Sequence, residues 1–112
     1  MAYDKQLADR IRALLDGEAD VTEQRMFGGL AFLIAGNMAV AASGQGGVLV
    51  RVDPANSDRL LATTTARPME MRGQVMRGWL RVGESGVRTQ RQLASWVTRG
   101  TTYARSLPAK ER

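Results

Sequence analysis

Arg77, Trp79 and Arg81 stand at every second position of one segment, the spacing that places three side chains on one face of a β-strand. An indole between two guanidinium groups can stack a nucleobase while the cations hold phosphates. The same pattern also suits packing. Trp79 can lie beneath a helix with the arginine stems beside it and their heads in water. It can equally sit on an open sheet face that a second subunit covers, and these structural readings are preferred. Arg91, Arg99 and Arg105 form a second basic set, spaced to fall on the side of a C-terminal helix opposite its apolar stripe. Arg25 precedes Met26-Phe27-Gly28-Gly29, where its bidentate fork can grip a carboxylate or phosphate. Pairing with Glu23, Asp20 or another acid is the preferred role for it.

These seven residues are the candidate interaction surface, and no catalytic, cofactor-binding or metal-ligating residue is assigned. The chain has no His, so no imidazole can activate a serine or carry protons near neutral pH. It has no Cys, which removes disulfides and thiol chemistry. Without either residue the usual zinc, copper and non-haem iron sites cannot form. An oxygen-ligand Mg²⁺ or Ca²⁺ site stays open in principle, but the acids are scattered and lack EF-hand spacing. An enzyme would have to rely on Asp/Glu chemistry or on a serine activated by Lys5 or Lys110, and no motif gathers such groups. Ser43-Gly44-Gln45-Gly46-Gly47 has the composition of a phosphate cradle, yet it leads into a strand and lacks a following Gly-Lys-Ser/Thr, so it reads as a hairpin turn. Met26, Met38, Met69, Met71 and Met76 suit either an adaptable binding surface or the filling of core gaps, the commoner use.

Charge is unevenly placed. Residues 1–24 hold three basic and six acidic side chains, a net −3, so a total of +5 leaves +8 on the rest. A basic C-terminal part favours polyanions or an acidic partner surface; the plainer reading is a solvated surface. No apolar run reaches the ~20 residues that span a membrane. Asp4, Lys5, Asp9 and Arg10 break any signal-peptide pattern, so a cytoplasmic location is expected.

The elements that must position these residues follow from periodicity and caps. Tyr3, Leu7, Ile11, Leu14 and Leu15 recur at helical spacing before Gly17. An acidic connection, Glu18 to Gln24, follows. Strands are expected at 29–34, 38–43 and 48–52, joined by turns at Ala35-Gly36-Asn37 and at 43–47. Asp53-Pro54 starts a short helix to about Ala62. Strands at 69–72 and 76–82 meet at Gly73-Gln74. Thr89 with Gln92 three residues on forms a capping box for the last helix, whose stripe is Leu93, Trp96, Val97, Gly100, Ala104 and Leu107. Pro108 ends it, and the tail from about residue 108 is expected to fray. The 112 residues form a single domain. The class is α+β, two-layer, in the order α-β-β-β-α-β-β-α with a five-stranded antiparallel sheet.

Nearly the whole chain resembles the TfoX N-terminal domain family, named after a bacterial competence regulator also called Sxy. The matching segments are Arg25 to Gly29, Gly36-Asn37-Met38, Leu49-Val50-Arg51-Val52-Asp53, Arg67-Pro68-Met69, Gly78-Trp79-Leu80-Arg81-Val82 and Ala94-Ser95-Trp96-Val97. The resemblance implies a stand-alone bacterial domain that acts as a regulatory or protein-interaction module without enzymatic activity. Longer family members carry a second, C-terminal domain, and functions residing there are not carried over. The expected partner is a protein. A homodimer is also expected, formed where helices on one side leave a sheet face open, with Trp79 on that face. Weak nucleic-acid binding is the alternative, and an enzyme of unknown type the second alternative.

Overall fold

The computed structural model describes residues 3–26 and 28–110; Phe27, part of the Arg-Met-Phe-Gly-Gly motif, lies outside the described residues. Helix α1 (Lys5–Leu14) is followed by strands β1 (Val21–Met26), β2 (Gly29–Ile34), β3 (Asn37–Ala42) and β4 (Val48–Arg51). Helix α2 (Pro54–Thr63), strands β5 (Arg67–Met71) and β6 (Gln74–Val82), a 3₁₀ turn (Glu84–Gly86) and helix α3 (Gln90–Ser106) complete the chain. The strands form one sheet in the order β1-β2-β3-β4-β6-β5, antiparallel throughout. The α+β, two-layer reading holds, but among the described residues the sheet has six strands, not five.

The additional strand is β1, expected as an acidic connection. It has no apolar alternation because it is an edge strand: Thr22, Glu23, Gln24 and Arg25 are all exposed. Charged side chains on an edge also discourage pairing with another chain. Its register on β2 runs from Val21 opposite Ile34 to Met26 opposite Gly29.

Expected caps are in place. The Asp53 carboxylate accepts from Ala55 N at 2.9 Å and Pro54 opens α2. Thr89 and Gln92 form the reciprocal capping box of α3. The helices lie on one sheet face, where Leu7 and Ile11 of α1, Leu60 of α2 and Leu93, Trp96 and Val97 of α3 join Phe32, Ile34, Val40, Val50 and Leu80 in one core. Residues 108–110, expected to fray, return to the β2–β3 turn: Asn37 Nδ2 donates to Pro108 O and Lys110 N to Ala35 O, both at 2.9 Å.

The other sheet face carries a second cluster of Ala31, Leu33, Met38, Ala41, Leu49 and Met69, with Met26 and Trp79 packed against it. Those six side chains are at most 8% exposed within the single chain. These six side chains are thus shielded within the chain, while Trp79, placed on this face by the sequence reading, is half-buried. Among the described residues no helix is long and apolar enough to cross a membrane.

Candidate functional site

Trp79 lies directly opposite Arg51 across β4 and β6. The Arg51 guanidinium stands 5.1 Å from the Trp79 ring centroid and 5.5 Å from that of Tyr103 on α3. It thus bridges the helix-free face and the last helix by cation–π contacts. Arg81, two residues further along β6, donates from Nη1 to Ser43 Oγ at 3.3 Å. Arg67 of β5 is its direct cross-strand partner.

Arg77 does not join this row. The β5–β6 register breaks between Pro68 and Glu70, and Gly78 in the bulged segment has φ +86°, a conformation that favours glycine. A Cβ at Gly78 would also stand 2.9 Å from Val52 O. Gly78 N donates to the buried Ser57 Oγ at 3.4 Å and Val52 N to Gly78 O at 2.7 Å, which docks the bulge on the start of α2. Arg77 is carried with it: its Nη2 donates to Pro54 O at 3.2 Å and lies 3.8 Å from Asp58. The basic–aromatic group on this face is therefore Arg51, Arg67, Trp79 and Arg81. Sequence spacing missed Arg51 and Arg67, since only the strand register brings them in.

The three α3 arginines also separate. Arg105 reaches back to the α1–β1 loop, donating to Glu18 Oε1 and to Ala19 O, each at 2.8 Å from Nη2. Arg99, expected opposite the apolar stripe, lays its guanidinium 4.6 Å from the Trp96 ring centroid. From there it borders two adjoining clefts between α2 and α3. One, of about 320 Å³, is lined by Arg59, Asn56, Thr98, Thr102 and Tyr103, with Asp53 at its edge. The other, of about 360 Å³, includes Arg91, Ser95 and Trp96 with Thr63, Thr64 and Thr65. The two meet at Arg99 to outline a groove rich in hydroxyls and guanidinium groups, where Arg59, Arg91 and Arg99 have no ion pair with a described residue. Arg59 was not among the expected residues; its place on α2 opposite α3 is a tertiary fact without a local signal.

Arg25 is exposed on β1 and forms no ion pair with a described residue. The expected partner Glu23 is taken by Arg12 of α1, whose Nε and Nη2 donate to its two carboxylate oxygens at 2.6 and 2.9 Å. These hydrogen bonds hold the Glu23 carboxyl below its ordinary pKa, against a smaller opposing effect of burial. Asp9 completes the group at 2.6 Å from Arg12 Nη1. Among the described residues no three His, Cys, Asp or Glu side chains gather as a metal site would require. The Gly-rich segment 43–47 is the β3–β4 turn, closed by Ser43 N donating to Gly47 O at 3.0 Å.

The family model for the TfoX N-terminal domain matches residues 13–104, most of the chain and every strand and helix from the end of α1 to the last turns of α3. No curated protein and no solved structure gives a significant match.

Proposed function

Because the chain belongs to the TfoX N-terminal domain family, we propose that it is a non-enzymatic bacterial regulatory module that acts in the cytoplasm by docking an acidic protein surface on the α2–α3 groove. Family membership supports a regulatory or interaction role. The observation that carries the choice of surface is the set Arg59, Arg91 and Arg99, three guanidinium groups bordering connected clefts without a carboxylate partner among the described residues. Arginine is favoured at interfaces because its planar fork binds carboxylates in pairs and is weakly hydrated. The net charge of +5 adds steering of an acidic partner.

The test is recovery from cell extract on immobilised protein, with the bound protein and nucleic acid both identified. An acidic protein should be retained by the wild type and by Arg25→Glu, and lost with Arg91→Glu and with Arg99→Glu. Retention by both groove variants would sink the proposal.

One observation favours weak, sequence-independent nucleic-acid binding as a second reading: Arg51 lies over Trp79, and Arg81, with Arg67 opposite it, follows on the same helix-free face. That reading requires binding of single strands that falls steeply with salt and is reduced in Trp79→Ala. Partner recovery abolished by nuclease treatment would promote it to first place.

A further inference from the structure

Arg67 and Arg81 are Cα partners in the β5–β6 ladder, so two guanidinium side chains of like charge project from directly opposed positions. Like charges so placed destabilise a sheet. An acid beside them would remove the cost, yet among the described residues neither arginine has a carboxylate within 4.0 Å. Arg81 is half-buried and held by Ser43, which limits its freedom to swing away from Arg67. The pair borders a surface cavity of about 290 Å³ that Gln45 and Gly46 of the β3–β4 turn and Glu84 also line.

We propose that this cavity is an oxyanion site for a phosphate group that retains a proton or carries a hydroxyl neighbour. Two arginines lining one cavity offer donors for the several acceptor oxygens of phosphate, and a bound anion turns their mutual repulsion into two attractions. Glu84 sets the selectivity. Ionised, it accepts hydrogen bonds and donates none. It repels sulfate, which is fully deprotonated at neutral pH, whereas monohydrogen phosphate or the hydroxyl of an organic phosphate can donate to it. Free phosphate and a phosphomonoester share this chemistry.

Thermal unfolding of the full chain separates the outcomes. Inorganic phosphate, adenosine 5′-monophosphate, sulfate and sodium chloride are titrated at matched ionic strength. A saturable rise in Tm with phosphate or the nucleotide, larger than with sulfate and absent with chloride, is expected. Whichever of the two gives the larger shift identifies the source. Arg67→Ala should weaken the apparent affinity at least about tenfold, the loss of one charged hydrogen-bonding group. Without ligand it should not lower Tm, because it relieves the Arg67–Arg81 repulsion. Glu84→Gln should narrow the gap between phosphate and sulfate. Equal shifts from chloride and phosphate would overturn the proposal, as would a phosphate shift unchanged in Arg67→Ala.

Discussion

Arg12 of α1 and Glu23 of β1 meet through two parallel hydrogen bonds, 2.6 and 2.9 Å long, which fasten the edge strand of the sheet to the first helix. Arg12 also passes over Phe32, 5.8 Å from its ring centroid, so the pair covers a core aromatic. Glu23 is the cross-strand partner of Phe32, which places its carboxylate on the helical side.

A pH dependence follows from that pair. The folded pKa of Glu23 lies below the unfolded value, so its contribution is complete above the unfolded pKa of about 4.3 and is lost as pH falls through the folded pKa. Wild type should exceed Glu23→Gln in stability by a constant amount between about pH 7 and pH 5, and the difference should shrink below about pH 4. Both side chains are partly exposed, so the difference should be modest and reduced by salt. Urea titrations at several pH values check it; a gap that widens on acidification would contradict the pairing.

Trp96 is 5% exposed in the main core, and Arg99 lies over its ring. Trp96→Ala should cost about 3–5 kcal/mol, enough to unfold many small domains. Arg99→Ala removes one cation–π contact at a half-exposed site and should cost about 0.5–1 kcal/mol. Denaturant midpoints of the two variants should therefore differ several-fold in their shifts. Equal losses would mean that Trp96 does not carry the core.

Asp53 has two consequences in opposite directions. Its carboxylate caps α2 and also edges the cleft shared by Arg59 and Arg99. Asp53→Ala should destabilise the fold by about 1 kcal/mol, while strengthening retention of an acidic partner by removing the one acid among the described residues that line the groove. Loss of both stability and retention would indicate that Asp53 contacts the partner itself.

Elements with a buried face were legible. Strand β2 announces itself by Leu30, Phe32 and Ile34, and α3 by its capping box and stripe. Strand β1 was not, because an edge strand exposed along Thr22 to Arg25 carries no alternation to detect. Arg77 was misplaced because a bulge at Gly78 breaks the two-residue period, which sequence spacing takes as unbroken. The opposition of Arg67 and Arg81 depends on register between strands, and the groove depends on α2 lying beside α3. Chemistry-bearing residues were thus recognisable by type, but their companions were fixed by tertiary placement.

Gly100 offers the sharpest test of how α3 sits on the sheet. In a helix interior Gly→Ala ordinarily stabilises by about 1 kcal/mol. Here the helix meets β3 at Ala39, the residue left without a β2 partner where the register shifts between Phe32 and Leu33. A Cβ on Gly100 would run into the Ala39 carbonyl oxygen, stand 3.0 Å from its carbon and 3.4 Å from Val50 Cγ1. Backbone on the facing strand cannot rotate away as a side chain can, so the helix would have to lift from the core. Gly100→Ala should therefore destabilise by about 1–3 kcal/mol, the reverse of the helix-propensity expectation. Gly83→Ala, where a Cβ would meet nothing within 4 Å, serves as the control and should stay within about 0.5 kcal/mol. Thermal unfolding of both variants decides the matter: a Gly100→Ala protein as stable as wild type would mean that α3 does not approach β3 this closely.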